Sequence, residues 1–249
     1  MNDLLIRDDA ATVTLAAADL LNELAEKAMS DKGAFSLVLS GGKTPAHLYA
    51  ALARRWAGRK NFLSKISFFW GDERCVPPEH PYSNYGLAEA AMLSKLDLAE
   101  ENIHRIKGEM GAEQAANLYE KELRACGFKH GGEQFFDCVL LGMGRDGHTA
   151  SLFPGRSSLW TKDRLVTAEL EPGQEPFVPR VTMTLPALSL GREIIFMACG
   201  IDKAGPFRNC LAPGAGVDDL PPAGRVVPVF GRTTFIVDQA AAARIRHEF

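Results

Sequence analysis

Apolar positions along this 249-residue chain alternate between two spacings. Residues 11–29 carry Val13, Leu20, Leu21, Leu24 and Met29 at helical intervals in an alanine-rich background, which predicts an amphipathic helix. Phe35-Ser36-Leu37-Val38-Leu39 is instead a short apolar run between Gly33 and Gly41, the mark of a buried strand. The alternation continues with a helix over 44–56, Pro45 in its first turn, a strand over 66–70 and helices over 84–96 and 112–125. A strand over 135–141 follows, then strands at 164–168, 181–185, 193–198 and 233–237, with helices at 203–211 and 239–246. This order predicts an α/β fold, a three-layer and mainly parallel sheet with helices on both faces. The proline- and glycine-rich stretches 171–179 and 212–224 read as surface loops. No internal repeat divides the chain, so residues 1–249 are expected to form one domain.

Composition narrows the function classes. With 46% hydrophobic and 24% charged residues the chain suits a folded enzyme. A net charge of −3 without a block of like charges argues against a nucleic-acid partner. No run reaches the ~20 apolar residues that span a bilayer, and the N-terminus lacks the basic and apolar regions of a signal peptide. The five cysteines are scattered and form no C-x-x-C pair. Reduced thiols and a cytoplasmic location are therefore expected.

Three strand-to-loop junctions carry the candidate chemistry. After the first apolar strand, Ser40-Gly41-Gly42-Lys43-Thr44-Pro45 enters a helix. Paired glycines let backbone N–H groups approach an anion, the helix N-terminus adds positive potential, and Thr44 offers a hydroxyl and a cap. The loop is not a Walker A motif, because Leu37 occupies the position of its first glycine. The second junction, Gly71-Asp72-Glu73-Arg74-Cys75, places two acids and an arginine at a strand end, where Arg74 suits a phosphate. The third, Gly142-Met143-Gly144-Arg145-Asp146-Gly147-His148, sets an aspartate beside a histidine in a tight turn. Histidine is the side chain best suited to proton transfer near neutral pH.

That third segment formally matches G-x-G-x-x-G, yet Pro154-Gly155 interrupts the helix a dinucleotide site requires, so no nucleotide cofactor is expected. No G-x-S-x-G elbow, H-E-x-x-H motif or cysteine cluster is present, so neither a metal nor a covalent serine is expected. His47, His80, His104, His130 and His247 read as structural or surface residues.

Taken in order, these segments resemble the 6-phosphogluconolactonase family almost end to end. The resemblance is carried by 39–45, by Phe69-Trp70-Gly71-Asp72-Glu73-Arg74-Cys75-Val76-Pro77, by Ser83-Asn84-Tyr85 and by Ile103-His104-Arg105-Ile106. It continues through 142–154, Arg180-Val181-Thr182-Met183-Thr184-Leu185-Pro186 and Asp202-Lys203-Ala204. It implies a Rossmann-like fold shared with glucosamine-6-phosphate deaminase, which is the rival activity. Where that deaminase carries an acid after the histidine, this chain has Leu152-Phe153, and where it has a tyrosine after Asp-Glu, this chain has Arg74. A sugar-phosphate sensor is a second alternative; it would need a DNA-binding segment, and no basic helix-turn-helix precedes the first helix.

The resemblance implies hydrolysis of 6-phospho-D-glucono-1,5-lactone to 6-phospho-D-gluconate in the oxidative pentose phosphate pathway. By that carry-over His148 is the general base, and Asp146 or Asp72 orients or stabilises its imidazole. Ser40, Gly41, Gly42 and Thr44, with Arg74, Arg180 and Lys203, would hold the phosphate. A lactone is an activated ester, so water attack needs no cofactor. The expected partner is the small sugar-phosphate lactone, and a monomer is expected, with a homodimer as the alternative.

Overall fold

The computed structural model describes residues 2–129, 135–212 and 214–245. Its main sheet has seven strands: β1 (Asn2–Arg7), β2 (Phe35–Leu39), β3 (Ile66–Trp70), β5 (Ile103–His104), β6 (Phe136–Gly142), β9 (Gly191–Ala198) and β10 (Arg232–Asp238). They lie in the order β1-β10-β9-β6-β2-β3-β5, and every pairing is parallel. Parallel strands covered on both faces lose the apolar–polar alternation. That is why β2, β3 and β6 read as near-continuous apolar runs and could be found from sequence.

Helices α1 (Ala10–Lys32), α2 (Lys43–Trp56), α3 (Lys60–Leu63), α4 (Asn84–Ala91) and α5 (Ala112–Ala125) lie between these strands. Helix α1 outruns the 11–29 periodicity because of its ends. Asp9 and Thr12 form a reciprocal N-terminal cap, and Gly33 closes the helix at φ 72°. The core beneath it includes Val13, Leu21, Leu37, Phe68, Leu140 and Ile195, all fully buried.

A second, antiparallel sheet was not foreseen. It joins β4 (Asp72–Arg74), β8 (Arg180–Met183) and β7 (Val166–Glu169) in the order β4-β8-β7. The segment expected to be a loop after β3 is thus a strand, with Arg74 paired in register with Arg180.

Several boundaries differ from the sequence reading for local reasons. The strand expected at 181–185 stops at Met183, since Thr184 caps the short helix α6 (Leu185–Leu188) with Pro186 in its first turn. Helix α4 ends at Ala91 rather than running to 96; a 3₁₀ turn follows at Leu93–Lys95, and the Ser94 hydroxyl donates back to the Glu89 carbonyl. The helix expected at 239–246 is replaced by turns over 239–244, and Arg246 lies outside the described residues. There the Asp238 carboxylate accepts the Ala241 N–H and, from the end of β9, the Gly200 N–H. Helix α7 (Ala204–Cys210) matches the 203–211 expectation, and α8 (Pro222–Arg225) breaks the proposed 212–224 loop.

The site follows from the strand order. After β2 the chain moves to β3 on one side, and after β6 it proceeds to β9 on the other. The reversal lies between β2 and β6, and ligands of open α/β sheets bind outside the carboxyl ends at such a point. Direct β2–β6 register extends only over Leu37↔Cys138 and Val38↔Val139. Below it, Asp137 Oδ2 accepts from the Ser36 N–H and hydroxyl at 2.8 and 2.9 Å, and Lys32 pairs with the same carboxylate at 2.9 Å.

Candidate functional site

At the carboxyl end of the β2–β6 junction lies a cavity of about 230 Å³, lined by eight of the ten residues singled out from sequence. These are Ser40, Gly41, Gly42, Asp72, Arg74, His148, Arg180 and Lys203. They come from five regions of the chain: the end of β2, β4 of the small sheet, the turn after β6, β8 and the 201–203 segment.

The 142–148 turn is shaped by its glycines. Gly144 N–H donates to the His148 carbonyl at 2.8 Å, and a side chain on Gly144 would overlap the imidazole. Gly147 sits at φ 80°, in the left-handed region that glycine adopts without strain. Its carbonyl accepts from the Ala223 N–H at 2.9 Å, and Pro221 packs against its Cα, so the 212–224 segment is docked on the turn. Ala150, which also lines the cavity, holds a positive φ of 48° without being glycine. Such backbone strain clusters at functional sites.

His148 Nδ1 lies 2.6 Å from Asp146 Oδ1, and that same oxygen accepts the His148 backbone N–H at 3.1 Å. Burial pushes the Asp146 carboxyl up, but the hydrogen bonds and charge from His148 outweigh it and bring it down to about 2. An ionised carboxylate only accepts, so the imidazole proton belongs on Nδ1. Nε2 is then the basic nitrogen left to the cavity. Behind the ring stands Phe153, its centroid 4.5 Å away.

Asp72 is engaged elsewhere. Its Oδ2 accepts from the Ser151 hydroxyl at 2.6 Å and its Oδ1 from Asn84 Nδ2 at 3.2 Å. Between the two acids that the sequence left unranked, the imidazole contact is made by Asp146.

Arg180 is 2% exposed. Its Nη2 donates to the carbonyls of Gln174 and Pro176, its Nη1 reaches Ser151 Oγ at 3.5 Å, and its plane lies over Phe153. Burial lowers its guanidinium pKa, an effect Asp72 opposes. Arg74 is held through Nη1 to the Tyr82 carbonyl at 2.9 Å, and Lys203 through Asp202 at 3.0 Å. Arg74 Nε and Arg180 Nε are both buried without a partner. Three cations therefore converge on a small cavity, a setting for a dianionic group.

Thr44 departs from expectation. Helix α2 begins at Lys43 behind Gly42, whose φ is 105° and which supplies no side-chain cap. Thr44 is thus one residue inside the helix and cannot be its N-cap; its side chain sits against the Cys199 thiol. The first-turn N–H groups of α2 face the cavity end without a capping side chain, which suits an anion.

Sequence reasoning passed over Ser151, Asn84 and Gln174. The first two stand inside the segments that carried the family resemblance, but their residue types pointed to no chemistry. Glu73 was read with Asp72 as a site acid, yet it is 2% exposed and accepts four donors: the N–H groups of Arg74, Asn84 and Tyr85 and the Ser83 hydroxyl. Burial pushes its carboxyl up against those donors. His104 stacks on Phe69 and pairs with Glu122, remote from the cavity; His130 and His247 lie outside the described residues. Among the described residues no group of three His, Cys, Asp or Glu side chains could hold a metal, all five cysteines are unpaired, and no helix is long and apolar enough to cross a membrane.

Comparison with known proteins gives one answer. Residues 8–235 match the family model described as glucosamine-6-phosphate isomerases/6-phosphogluconolactonase. The chain is 39% identical over 226 residues to a 6-phosphogluconolactonase of Synechocystis, covering 88% of each, and 36% identical to one of Bos taurus, covering 90% of this chain and 86% of that one. The solved 6-phosphogluconolactonase of Trypanosoma brucei superposes with a TM-score of 0.87 at 28% identity, covering 99% of each chain. A monomeric glucosamine-6-phosphate deaminase shares the fold with a TM-score of 0.80 at 19% identity, over 97% of this chain and 99% of that one.

Proposed function

The chain belongs to the glucosamine-6-phosphate isomerase/6-phosphogluconolactonase family, and from that premise we infer that it is the lactonase rather than the deaminase. It hydrolyses 6-phospho-D-glucono-1,5-lactone to 6-phospho-D-gluconate. The observation that carries this reading is the company of His148: one ionised carboxylate, Asp146, on Nδ1, and the buried Phe153 behind the ring, next to the equally buried Leu152 in sequence. This arrangement fixes the Nδ1–H tautomer and leaves Nε2 as the nitrogen that can act as a general base.

In the reaction His148 Nε2 takes a proton from water as the oxygen attacks C1 of the lactone. Asp146 stabilises the imidazolium that forms beside the resulting alkoxide. Collapse of the tetrahedral intermediate breaks the bond from C1 to the ring oxygen, which receives the proton back from Nε2. The carboxylic acid product then ionises and releases one proton. Arg74, Arg180, Lys203 and the 40–42 turn with the α2 N-terminus hold the phosphate, so that positioning is set by a group remote from the reacting carbon. Thr44 could contribute only through its backbone. Asp72, bound to Ser151 and Asn84, shapes the cavity wall rather than orienting the imidazole. The chain works as one domain and as a monomer, and its unpaired cysteines support a reducing compartment such as the cytoplasm.

The test is proton release in a pH-stat after lactone is generated from glucose 6-phosphate by its dehydrogenase. Purified protein should accelerate acid formation well beyond the spontaneous rate, and should liberate no ammonia from glucosamine 6-phosphate. His148→Ala should lose nearly all turnover while still binding 6-phosphogluconate. Spontaneous rates with the native protein, or ammonia release, would overturn the assignment.

A further inference from the structure

Ser83-Asn84-Tyr85 contributes to the family resemblance, yet none of its residues lines the cavity or enters the mechanism above. Its placement gives it a task. Asn84 is the first residue of α4 and is 2% exposed. Its Nδ2 donates to the Asp72 carbonyl at 2.9 Å and to Asp72 Oδ1 at 3.2 Å. Its amide oxygen lies so close to Gly41 that a side-chain carbon there would overlap it. One side chain therefore touches two cavity segments that are more than thirty residues apart in sequence, the anion-binding turn and the acid strand β4.

Asn84 is itself fastened. Its N–H donates to Glu73 Oε1 at 2.7 Å, the Tyr85 N–H to Glu73 Oε2 at 2.7 Å, and the Ser83 hydroxyl to Glu73 Oε2 at 3.0 Å. Ser83 Oγ in turn accepts the Gly86 N–H at 3.0 Å and caps the helix. The buried Glu73 carboxylate thus ties the first turn of α4 to β4, and the side chain of Asn84 carries that register across to Gly41.

We propose that Asn84 is a positioning residue that sets the spacing between two walls of the cavity, the Gly41–Gly42 turn and the β4 strand that carries Asp72 and Arg74. Gly41 is glycine because that amide occupies the space a side chain would need. The proposal rests on the lactonase reading for its substrate, but the clamp can be measured through binding alone.

The experiment pairs Asn84→Ala and Asn84→Asp with Gly41→Ala and the double variant Gly41→Ala/Asn84→Ala. The readouts are calorimetric affinity for 6-phosphogluconate, KM and kcat for the lactone, and thermal unfolding. Asn84→Ala should weaken 6-phosphogluconate binding and lower kcat/KM, each by about 10- to 100-fold, the effect of losing a hydrogen bond to a charged group. Gly41→Ala should be impaired at least as much. In the double variant the losses should overlap, with activity no lower than in Gly41→Ala alone, because the obstructing amide is gone. Asn84→Asp keeps the shape but sets a second carboxylate against Asp72, and should be worse than Asn84→Ala in kcat without unfolding the protein. It also supplies the test if the alanine variant does not fold. Wild-type binding and turnover in Asn84→Ala, or losses that multiply in the double variant, would overturn the clamp. If the native chain fails to turn over lactone but the binding pattern holds, the substrate assignment falls and the clamp stands.

Discussion

Replacing Asp146 by asparagine separates two roles that an acid beside a catalytic histidine can play. One is to hold the imidazole in the correct tautomer and orientation; the other is to stabilise the imidazolium by charge. In many such pairs the amide can turn its NH₂ towards the ring, which puts the proton on the wrong nitrogen and costs ~10⁴-fold in rate. Here the same oxygen that faces Nδ1 also accepts the His148 backbone N–H. An amide in this place keeps its oxygen inward, because the reversed orientation would point NH₂ at that N–H. The tautomer is preserved and only charge is lost.

The size of the loss follows from the carboxyl's displacement. From an ordinary 3.8 down to about 2 corresponds to about 2.5 kcal/mol of preference for the ion beside His148. Solvent reaches a carboxylate 30% exposed and takes back about half of this. About 1.2 kcal/mol remains, or roughly an eightfold fall in kcat for Asp146→Asn with little change in KM. Asp146→Ala, which also removes the orienting oxygen, should fall further. The assay is initial proton release at saturating lactone, corrected for spontaneous hydrolysis. A 10⁴-fold loss in Asp146→Asn would refute the pinned-oxygen argument, and a loss under twofold would refute the charge argument.

Three further outcomes are expected. Arg74→Ala should raise KM strongly with a smaller effect on kcat, since a phosphate contact exists in ground and transition states alike; unchanged KM would remove Arg74 from the phosphate site. Because Asp146 is held below its ordinary value in the folded state, the stability it contributes is present above pH 3.8 and lost as pH falls towards about 2. Urea unfolding should therefore show native protein more stable than Asp146→Asn at about pH 6, with the gap narrowing below about pH 4 and closing only below about pH 2; a constant gap contradicts the linkage. Gly147→Ala forces a side chain into the left-handed region and against Pro221; differential scanning calorimetry should show a drop of about 4–8 °C, from ~2 kcal/mol of strain, and no drop would mean the turn relaxes freely.

How much of this was legible depended on whether a residue's partner lay nearby in sequence. Strands β2 and β3 were bounded to the residue, because their apolar runs end at glycines and both faces are covered. The Asp146–His148 pair was visible because the two residues share one turn. The small antiparallel sheet was not, since β4 is three polar residues whose strand character comes from pairing with β8 about a hundred positions later. Thr44 was misread as a cap because a threonine before a proline fits that pattern, while the positive φ that lets Gly42 take the position leaves no trace in residue type. Ser151 and Asn84 were invisible as site residues for the same reason as β4. Each acquires its meaning from Asp72, a residue brought to it by tertiary structure.

The narrow seam between β2 and β6 also bears on how the protein reaches its working state. The chain on one side of it, from β2 to β5, and on the other, from β6 to β10, is built largely from neighbours in sequence. The seam itself joins Ser36 to Asp137, so closing it must overcome a loop of about a hundred residues before any contact rewards it. The cavity opens directly above that seam and has walls from both sides. Catalytic competence is therefore a property of the closed chain, and recovery of turnover during refolding marks the moment its two halves meet.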